Sequence, residues 1–119
     1  LAQRVPELLE LVNLATHAGV KLKAFSKGML QRVGLAQALL NEPELVILDE
    51  PSNAMDSSSE ALLLKRLDEA TRGKTTILVT HKSSMMALVE RLIIIDNGRI
   101  VMDGAKEKVL QALKGGPNA

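Results

Sequence analysis

The stretch Leu45-Val46-Ile47-Leu48-Asp49-Glu50-Pro51 holds four consecutive apolar residues followed at once by two carboxylates. A short, continuous apolar run of this kind is typical of a strand buried on both faces, as in a parallel sheet. The acidic pair then lies at the carboxyl end of the strand, where ligands collect in open α/β sheets. Because successive strand side chains point to opposite faces, Asp49 and Glu50 can serve different tasks. One can face a phosphate-bound Mg²⁺ and the other an attacking water.

Helical and strand patterns alternate on both sides of this stretch, which predicts an α/β fold with a mainly parallel sheet and flanking helices. A first helix carries the apolar pattern of residues 5–12. Further helices are expected over about 29–40, 57–72, 83–91 and 105–114, and further strands over 75–80, 92–96 and 99–102. Asn97-Gly98 is a two-residue turn signal, so the last two strands should form a C-terminal antiparallel hairpin at one edge of the sheet.

Two local patterns refine the expected helices. Ser57 and Glu60 have the spacing of a capping box at the start of the third helix. Apolar residues occupy most of the circumference of the second helix, which predicts that this helix is largely buried.

Composition excludes several classes of function. Hydrophobic residues make up 46% of the chain and charged residues 24%, which is the balance of a globular protein. A net charge of +1 and a single aromatic residue, Phe25, argue against a dedicated nucleic-acid binder. The absence of cysteine excludes disulfides and thiolate zinc sites. The longest apolar run, Met85–Val89, is far shorter than the roughly 20 residues of a membrane span.

Three further segments carry chemistry. Residues 25–32, Phe-Ser-Lys-Gly-Met-Leu-Gln-Arg, form a small-residue turn that opens a helix, and such a turn is an anion site. Residues 52–56, Ser-Asn-Ala-Met-Asp, directly follow the acidic strand. Thr80-His81 ends the next strand, which places an imidazole beside the two carboxylates at the same edge of the sheet.

In this order the four segments resemble the signature loop, Walker B strand, D-loop and His switch of an ATP-binding-cassette (ABC) ATPase domain. The resemblance covers almost the whole chain and corresponds to the C-terminal part of that domain. It implies a partial P-loop-NTPase-like fold, with residues 1–40 in the helical signature subdomain and 41–119 in the ATPase core. Residues 5–45 look like simple bacterial exporter ATPases, and residues 52–114 look like type I secretion exporters.

The resemblance also implies residue roles. Glu50 would be the general base that positions water, and His81 the switch residue at the γ-phosphate. Asp49 would be the Mg²⁺ ligand. The implied nucleotide-binding residues, which serve an ATP held mainly by a partner domain, are Ser26, Lys27, Gly28, Met29 and Asp56. Lys27 has an equally good interpretation as a solvated loop lysine.

One expected motif is absent from the sequence. A phosphate-binding loop needs the pattern G-x-x-x-x-G-K-[ST] between a strand and a helix. Gly73-Lys74-Thr75 imitates its last three residues, but Asp68 stands where the first glycine belongs, and a strand follows the triplet instead of preceding it. The chain is therefore expected to lack the phosphate-loop half of the domain, which leaves open whether it is an enzyme by itself.

The function implied by the resemblance is ATP hydrolysis that powers membrane export, with ATP and Mg²⁺ as cofactors. The implied partners are a second nucleotide-binding domain in a head-to-tail dimer and a membrane-spanning transporter part, but no nucleic acid. Such a protein would be cytoplasmic, at the inner face of the membrane. The isolated chain is expected to be inactive. Two alternatives remain: an ABC ATPase of DNA repair or of the ribosome, and a non-catalytic fragment or recombined sequence.

Overall fold

The computed structural model describes residues 3–115, which divide between Ser83 and Ser84 into two compact units. The first unit contains helices α1 (Arg4–Leu11), α2 (Lys27–Ala38) and α3 (Ser57–Ala70) and strands β1 (Leu45–Asp49) and β2 (Thr75–Val79). The second contains β3 (Arg91–Asp96), β4 (Arg99–Ala105) and α4 (Lys106–Lys114). Short 3₁₀ segments lie at Ala15–His17, Leu22–Ala24 and Ser83–Leu88. Over residues 3–115, no helix has the length and apolar character needed to cross a membrane.

The first unit is built on a parallel strand pair, as expected of an α/β fold. β1 and β2 run in register from Leu45 opposite Thr75 to Asp49 opposite Val79, and α3 lies between them in the chain. One face of β1 is buried through Val46 and Leu48, while Leu45 and Ile47 on the other face are 49% and 61% exposed. The prediction that this strand is buried on both faces is wrong, because the described residues cover only one face.

The core of the first unit forms where α1 packs against α2 and α3. Two arginine side chains donate hydrogen bonds to backbone carbonyls at the ends of helices. The Arg66 guanidinium donates to the carbonyls of Glu10 and Leu11 at the end of α1, and Arg4 donates to the Leu39 carbonyl just after α2. The carbonyls of Glu10 and Leu39 also accept backbone N–H groups, from Asn13 and Glu42, so the arginines add further bonds at helix ends, where carbonyls lack intrahelical partners. The buried apolar residues are Leu8, Val12, Leu14, Leu35, Ala36, Leu39, Val46, Leu48, Leu63 and Leu67.

The second helix is less buried than its sequence pattern suggests. Leu35 and Ala36 are buried within α2, but Leu30 is 46% exposed. The prediction of a largely buried helix is therefore wrong, because Gly34, Gln37 and Ala38 are exposed even in the half of α2 that carries the two buried residues.

The start of α3 differs from the expected capping box. Asp56 is the N-cap residue, and its carboxylate accepts a hydrogen bond from the Ser59 N–H at 3.0 Å. Ser57 is already the first helical residue. A capping box also needs the glutamate to fold back to the N-cap, whereas the Glu60 carboxylate binds Ser52 and Lys82 instead. The capping-box prediction is therefore wrong.

The second unit is a hairpin with a packed helix. Asn97 and Gly98 have φ angles of +48° and +74°, the left-handed conformations that a tight two-residue hairpin turn needs. The expected hairpin forms, as a two-stranded sheet of its own. A bidentate salt bridge joins the two strands. Arg91 Nε and Nη2 donate to the two Asp103 carboxylate oxygens at 2.8 and 2.7 Å. These bonds raise the pKa of Arg91 and lower that of Asp103.

The segment before β3 forms a shorter and tighter element than the α-helix expected over residues 83–91. The 3₁₀ segment ends at Leu88, and Arg91 already pairs with Ala105 in the hairpin. Strand pairing of Arg91 therefore takes the place of the last helical turn.

Candidate functional site

The carboxyl ends of β1 and β2 bring the two carboxylates and the histidine together. Asp49 is the last residue of β1 and pairs with Val79, the last residue of β2. His81 follows β2 by two residues, and its Nε2 lies 3.4 Å from Oε1 of Glu50. The Glu50 side chain is 28% exposed and that of His81 is 95% exposed. The predicted grouping at one edge of the sheet is therefore present.

Glu50 has a left-handed backbone, with a φ angle of +47°. For a residue with a Cβ this conformation costs about 1–2 kcal/mol, so the surrounding contacts must hold it. The Glu50 N–H donates to the Val79 carbonyl at 2.8 Å. Its carbonyl accepts from the Asn53 N–H at 3.2 Å and from the Gln31 side chain at 2.7 Å. Glu50 thus ends β1 in a turn that is held on both sides of the residue.

The segment from Ser26 to Met29 begins α2. Ser26 is the N-cap residue, and its hydroxyl accepts from the Met29 N–H at 3.2 Å. Lys27 is exposed in the first turn. Gly28 lies against Ala54, such that an added Cβ would come 3.2 Å from the Ala54 carbonyl oxygen. A larger residue at position 28 would therefore require the Ala54 segment to move by a few tenths of an ångström.

Gln31 is a contact residue that the sequence did not single out. Its side-chain NH₂ donates to the Glu50 carbonyl at 2.7 Å, and its side-chain oxygen accepts from the Ala54 N–H at 3.1 Å. One amide thereby joins α2 to the turn after β1 and to the segment that follows it. Sequence spacing holds no signal for this link, because 19 and 23 residues separate the partners.

Asp56 has a clear local role. Its carboxylate accepts from the Ser59 N–H and the Ser58 hydroxyl, and the bonds from Ser59 are the main cause that holds its pKa below the ordinary value. An ionised carboxylate at a helix N-terminus also suits the positive end of the helix dipole. Asp56 thus stabilises the start of α3.

A charged cluster around a buried carboxylate lies next to the His81 loop and was also missed from the sequence. Ser52 and Glu60 are 1% and 6% exposed, and the Ser52 hydroxyl donates to the Glu60 carboxylate at 2.7 Å. The Lys82 ammonium donates to the same carboxylate at 2.8 Å and to the Ser52 carbonyl at 2.9 Å. Because Lys82 directly follows His81, this cluster anchors the His81 loop to the segment after β1.

Asp49 has the chemistry of a magnesium ligand. Mg²⁺ is usually held by one or two carboxylates together with substrate phosphates and water. Asp49 is exposed at the strand end, so its carboxylate is accessible to a cation carried by a phosphate group. Among residues 3–115, no group of three or more acidic or histidine side chains forms a cage for a metal ion. A single accessible carboxylate fits a cation whose other ligands come from phosphate groups and water.

Comparison with known proteins gives a consistent result. A family model described as ABC transporter matches residues 1–53. The Nod factor export ATP-binding protein I of Cupriavidus metallidurans is 35% identical over 94% of this chain and 38% of that protein. ABC transporter B family member 13 of Arabidopsis thaliana is 37% identical over 84% of this chain and 8% of that protein.

Solved structures agree with the sequence relatives. The dimeric structure of a bacterial ABC transporter cassette matches with a TM-score of 0.80 and 30% identity, over 87% of this chain and 46% of that chain. The chain therefore spans less than half the length of each of these three proteins.

Proposed function

Because this chain is part of an ABC transporter ATPase domain, we propose that it supplies Asp49, Glu50 and His81 to one ATP site and the N-terminus of α2 to a second ATP site, in an assembly that powers membrane export. The observation that carries the proposal is the pairing of Glu50 with His81 next to Asp49, at the carboxyl ends of two parallel strands. Relatives named for export support a transport role over DNA repair or ribosome binding.

Glu50 is the proposed general base. Its carboxylate is partly exposed, so one oxygen can accept a proton from a water molecule while His81 lies beside the other. His81 is almost fully exposed and can reach the terminal phosphate of a bound nucleotide. Asp49 would hold Mg²⁺, which neutralises charge on the phosphates when it is bound.

The N-terminus of α2 is the proposed contact to a second nucleotide. Ser26 accepts a bond from Met29, which leaves its own hydroxyl hydrogen able to donate to a phosphate. The N–H groups of Lys27 and Gly28, in the first helical turn, and the helix dipole favour an anion at the same place. In the proposal these residues serve an ATP held by a second cassette in a head-to-tail dimer. A membrane-spanning subunit would then place both cassettes at the cytoplasmic face of the membrane.

The test uses a completed cassette, meaning this chain joined behind the phosphate-loop half of a bacterial exporter relative. Glu50→Gln keeps the size of the side chain but removes the proton acceptor. We expect retained ATP binding and a fall in kcat of about a hundredfold or more, the range for losing a general base. Steady-state phosphate release and nucleotide titration measure the two effects.

The matched control is Glu44→Gln. Glu44 is exposed just before β1, at the opposite end of the same strand, so the same chemical change there should leave kcat unaltered. An unchanged kcat in Glu50→Gln would remove Glu50 from the role of base and refute the proposed function.

A further inference from the structure

The Gln31 side chain makes two hydrogen bonds that depend on both ends of one amide. The nitrogen donates to the Glu50 carbonyl at 2.7 Å, and the oxygen accepts from the Ala54 N–H at 3.1 Å. Only an amide of this length offers a donor and an acceptor side by side, so neither leucine nor glutamate can replace both contacts. The chemistry of the site therefore specifies glutamine.

The contact at Glu50 falls on a strained residue. The left-handed φ of +47° sets the direction in which the Glu50 carboxylate leaves the backbone. The Gln31 bond at 2.7 Å is shorter than the 3.2 Å bond that the same carbonyl accepts from Asn53. A change in the position of Gln31 would thus move the peptide that aims the Glu50 carboxylate.

Gln31 also lies three residues after Gly28, about one helical turn along the same helix. Gly28, in the same part of α2, lies close to the segment after β1, since a Cβ added there would stand 3.2 Å from the Ala54 carbonyl oxygen. A displacement of the N-terminal turn of α2 is therefore passed on to two neighbouring points, Glu50 and Ala54.

We propose that Gln31 is a positioning residue that couples α2 to Glu50. When one nucleotide binds Ser26 and Gly28, the coupling aligns Glu50, the base that acts on the second nucleotide. The proposal rests on the proposed function, since it assigns Glu50 and the α2 N-terminus to two different nucleotides. Gln31 itself touches neither nucleotide. Its effect therefore falls on kcat and leaves the apparent affinity for ATP in place.

The first experiment measures amide exchange in the 119-residue chain by NMR. In Gln31→Leu, exchange at the Ala54 N–H should accelerate about tenfold, because its acceptor is gone, while the Thr75 N–H at the far end of the sheet keeps its rate. In Gln31→Glu the acceptor remains and the Ala54 rate should stay near that of the wild type. Equal acceleration at Ala54 and Thr75 would indicate general destabilisation and overturn the proposal.

The second experiment measures turnover in the completed cassette. Gln31→Leu and Gln31→Glu both lose the donor to Glu50, so kcat should fall about tenfold while KM for ATP changes by less than about twofold. Gln37→Leu and Gln37→Glu are the matched controls, since Gln37 is exposed on the same helix, and both should match the wild type.

The outcomes separate the two proposals. Wild-type kcat in both Gln31 variants, with Glu50→Gln still inactive, overturns the coupling and leaves the proposed function standing. A rise in KM with unchanged kcat also overturns the coupling, because it assigns Gln31 to nucleotide binding. Wild-type kcat in Glu50→Gln refutes the proposed function itself.

Discussion

Glu50 and Asp56 show how single residues around the site are set by their local backbone. Hydrogen bonds with Val79, Asn53 and Gln31 hold the backbone of Glu50 in a left-handed conformation. In this conformation the Glu50 carboxylate lies beside His81. Asp56 keeps an extended backbone and uses its carboxylate to begin α3. The Glu50 carboxylate thus lies beside a histidine of the candidate site, whereas the Asp56 carboxylate caps a helix.

The first prediction concerns Asp56. Bonds from Ser59 lower its folded pKa below the ordinary value of 3.8, so the ionised cap stabilises the fold above that value, and the contribution is lost as pH falls through the lowered pKa. Asp56→Ala should therefore be less stable than the wild type near neutral pH, and the difference should shrink as pH falls below about 3.8. Urea unfolding at several pH values measures this difference in the free energy of unfolding.

Two variants control the Asp56 measurement. Asp56→Asn keeps a good cap without a titrating group, so its stability should be close to that of the wild type near neutral pH. Ser57→Ala should have little effect, because Ser57 lies inside the helix. A larger loss in Ser57→Ala than in Asp56→Ala would show that the capping box operates after all.

At the scale of residues, sequence reasoning could find Asp49, Glu50 and His81, because parallel strands bring their carboxyl ends to one edge. It could not find the Gln31 bridge or the cluster of Ser52, Glu60 and Lys82. Those contacts join residues 8 to 30 positions apart through side chains whose directions depend on the finished packing. Polar residues of this kind carry no periodic signal.

At the scale of elements, the first three strands were predicted to within one residue at each end, whereas β4 continues three residues beyond its expected end, to Ala105. The apolar run at residues 45–48 and the Asn97-Gly98 turn each correspond to what the structure contains. Where the sequence predicts a helix over 83–91, the structure has a 3₁₀ segment that ends at Leu88, because Arg91 belongs to β3 and pairs with β4. Tertiary pairing overrides local helical preference at such boundaries.

The second prediction concerns α2 and compares two glycines within it. Gly28→Ala places a Cβ 3.2 Å from the Ala54 carbonyl oxygen, so the segment after β1 must shift by a few tenths of an ångström. Gly34→Ala meets nothing within 4 Å and should stabilise the helix by about 0.5–1 kcal/mol. Thermal unfolding should therefore show Gly28→Ala clearly less stable than Gly34→Ala. Equal stabilisation by both would contradict the close contact between α2 and Ala54.

At the scale of the whole molecule, the described chain presents apolar side chains on one face of its parallel strand pair. Leu45, Ile47, Ile77 and Val79 are each about half exposed or more. Parallel sheets in folded proteins are normally covered on both faces. The exposed face favours association of the chain in solution.

The third prediction concerns the 119-residue chain without added partners. Asp49, Glu50 and His81 offer contacts to a terminal phosphate and its cation, but the sequence contains no G-x-x-x-x-G-K-[ST] loop to cradle the other phosphates. We therefore expect weak binding of Mg-ATP and no turnover, by calorimetric titration and phosphate-release assay. Micromolar affinity with turnover that vanishes in Glu50→Gln would mean that the chain builds a complete nucleotide site.

The central claim is that one chain supplies Glu50 to one nucleotide and the α2 N-terminus to another, and nucleotide-dependent dimerisation tests it most directly. Light scattering measures the mass of the completed cassette carrying Glu50→Gln, which binds ATP without consuming it. The mass should double when ATP is added.

Adding Gly28→Asp to this cassette should abolish the doubling, because a negative charge then faces the phosphates. Gly34→Asp, the same charge on the same helix, should leave it intact. Doubling that persists with Gly28→Asp would contradict the account.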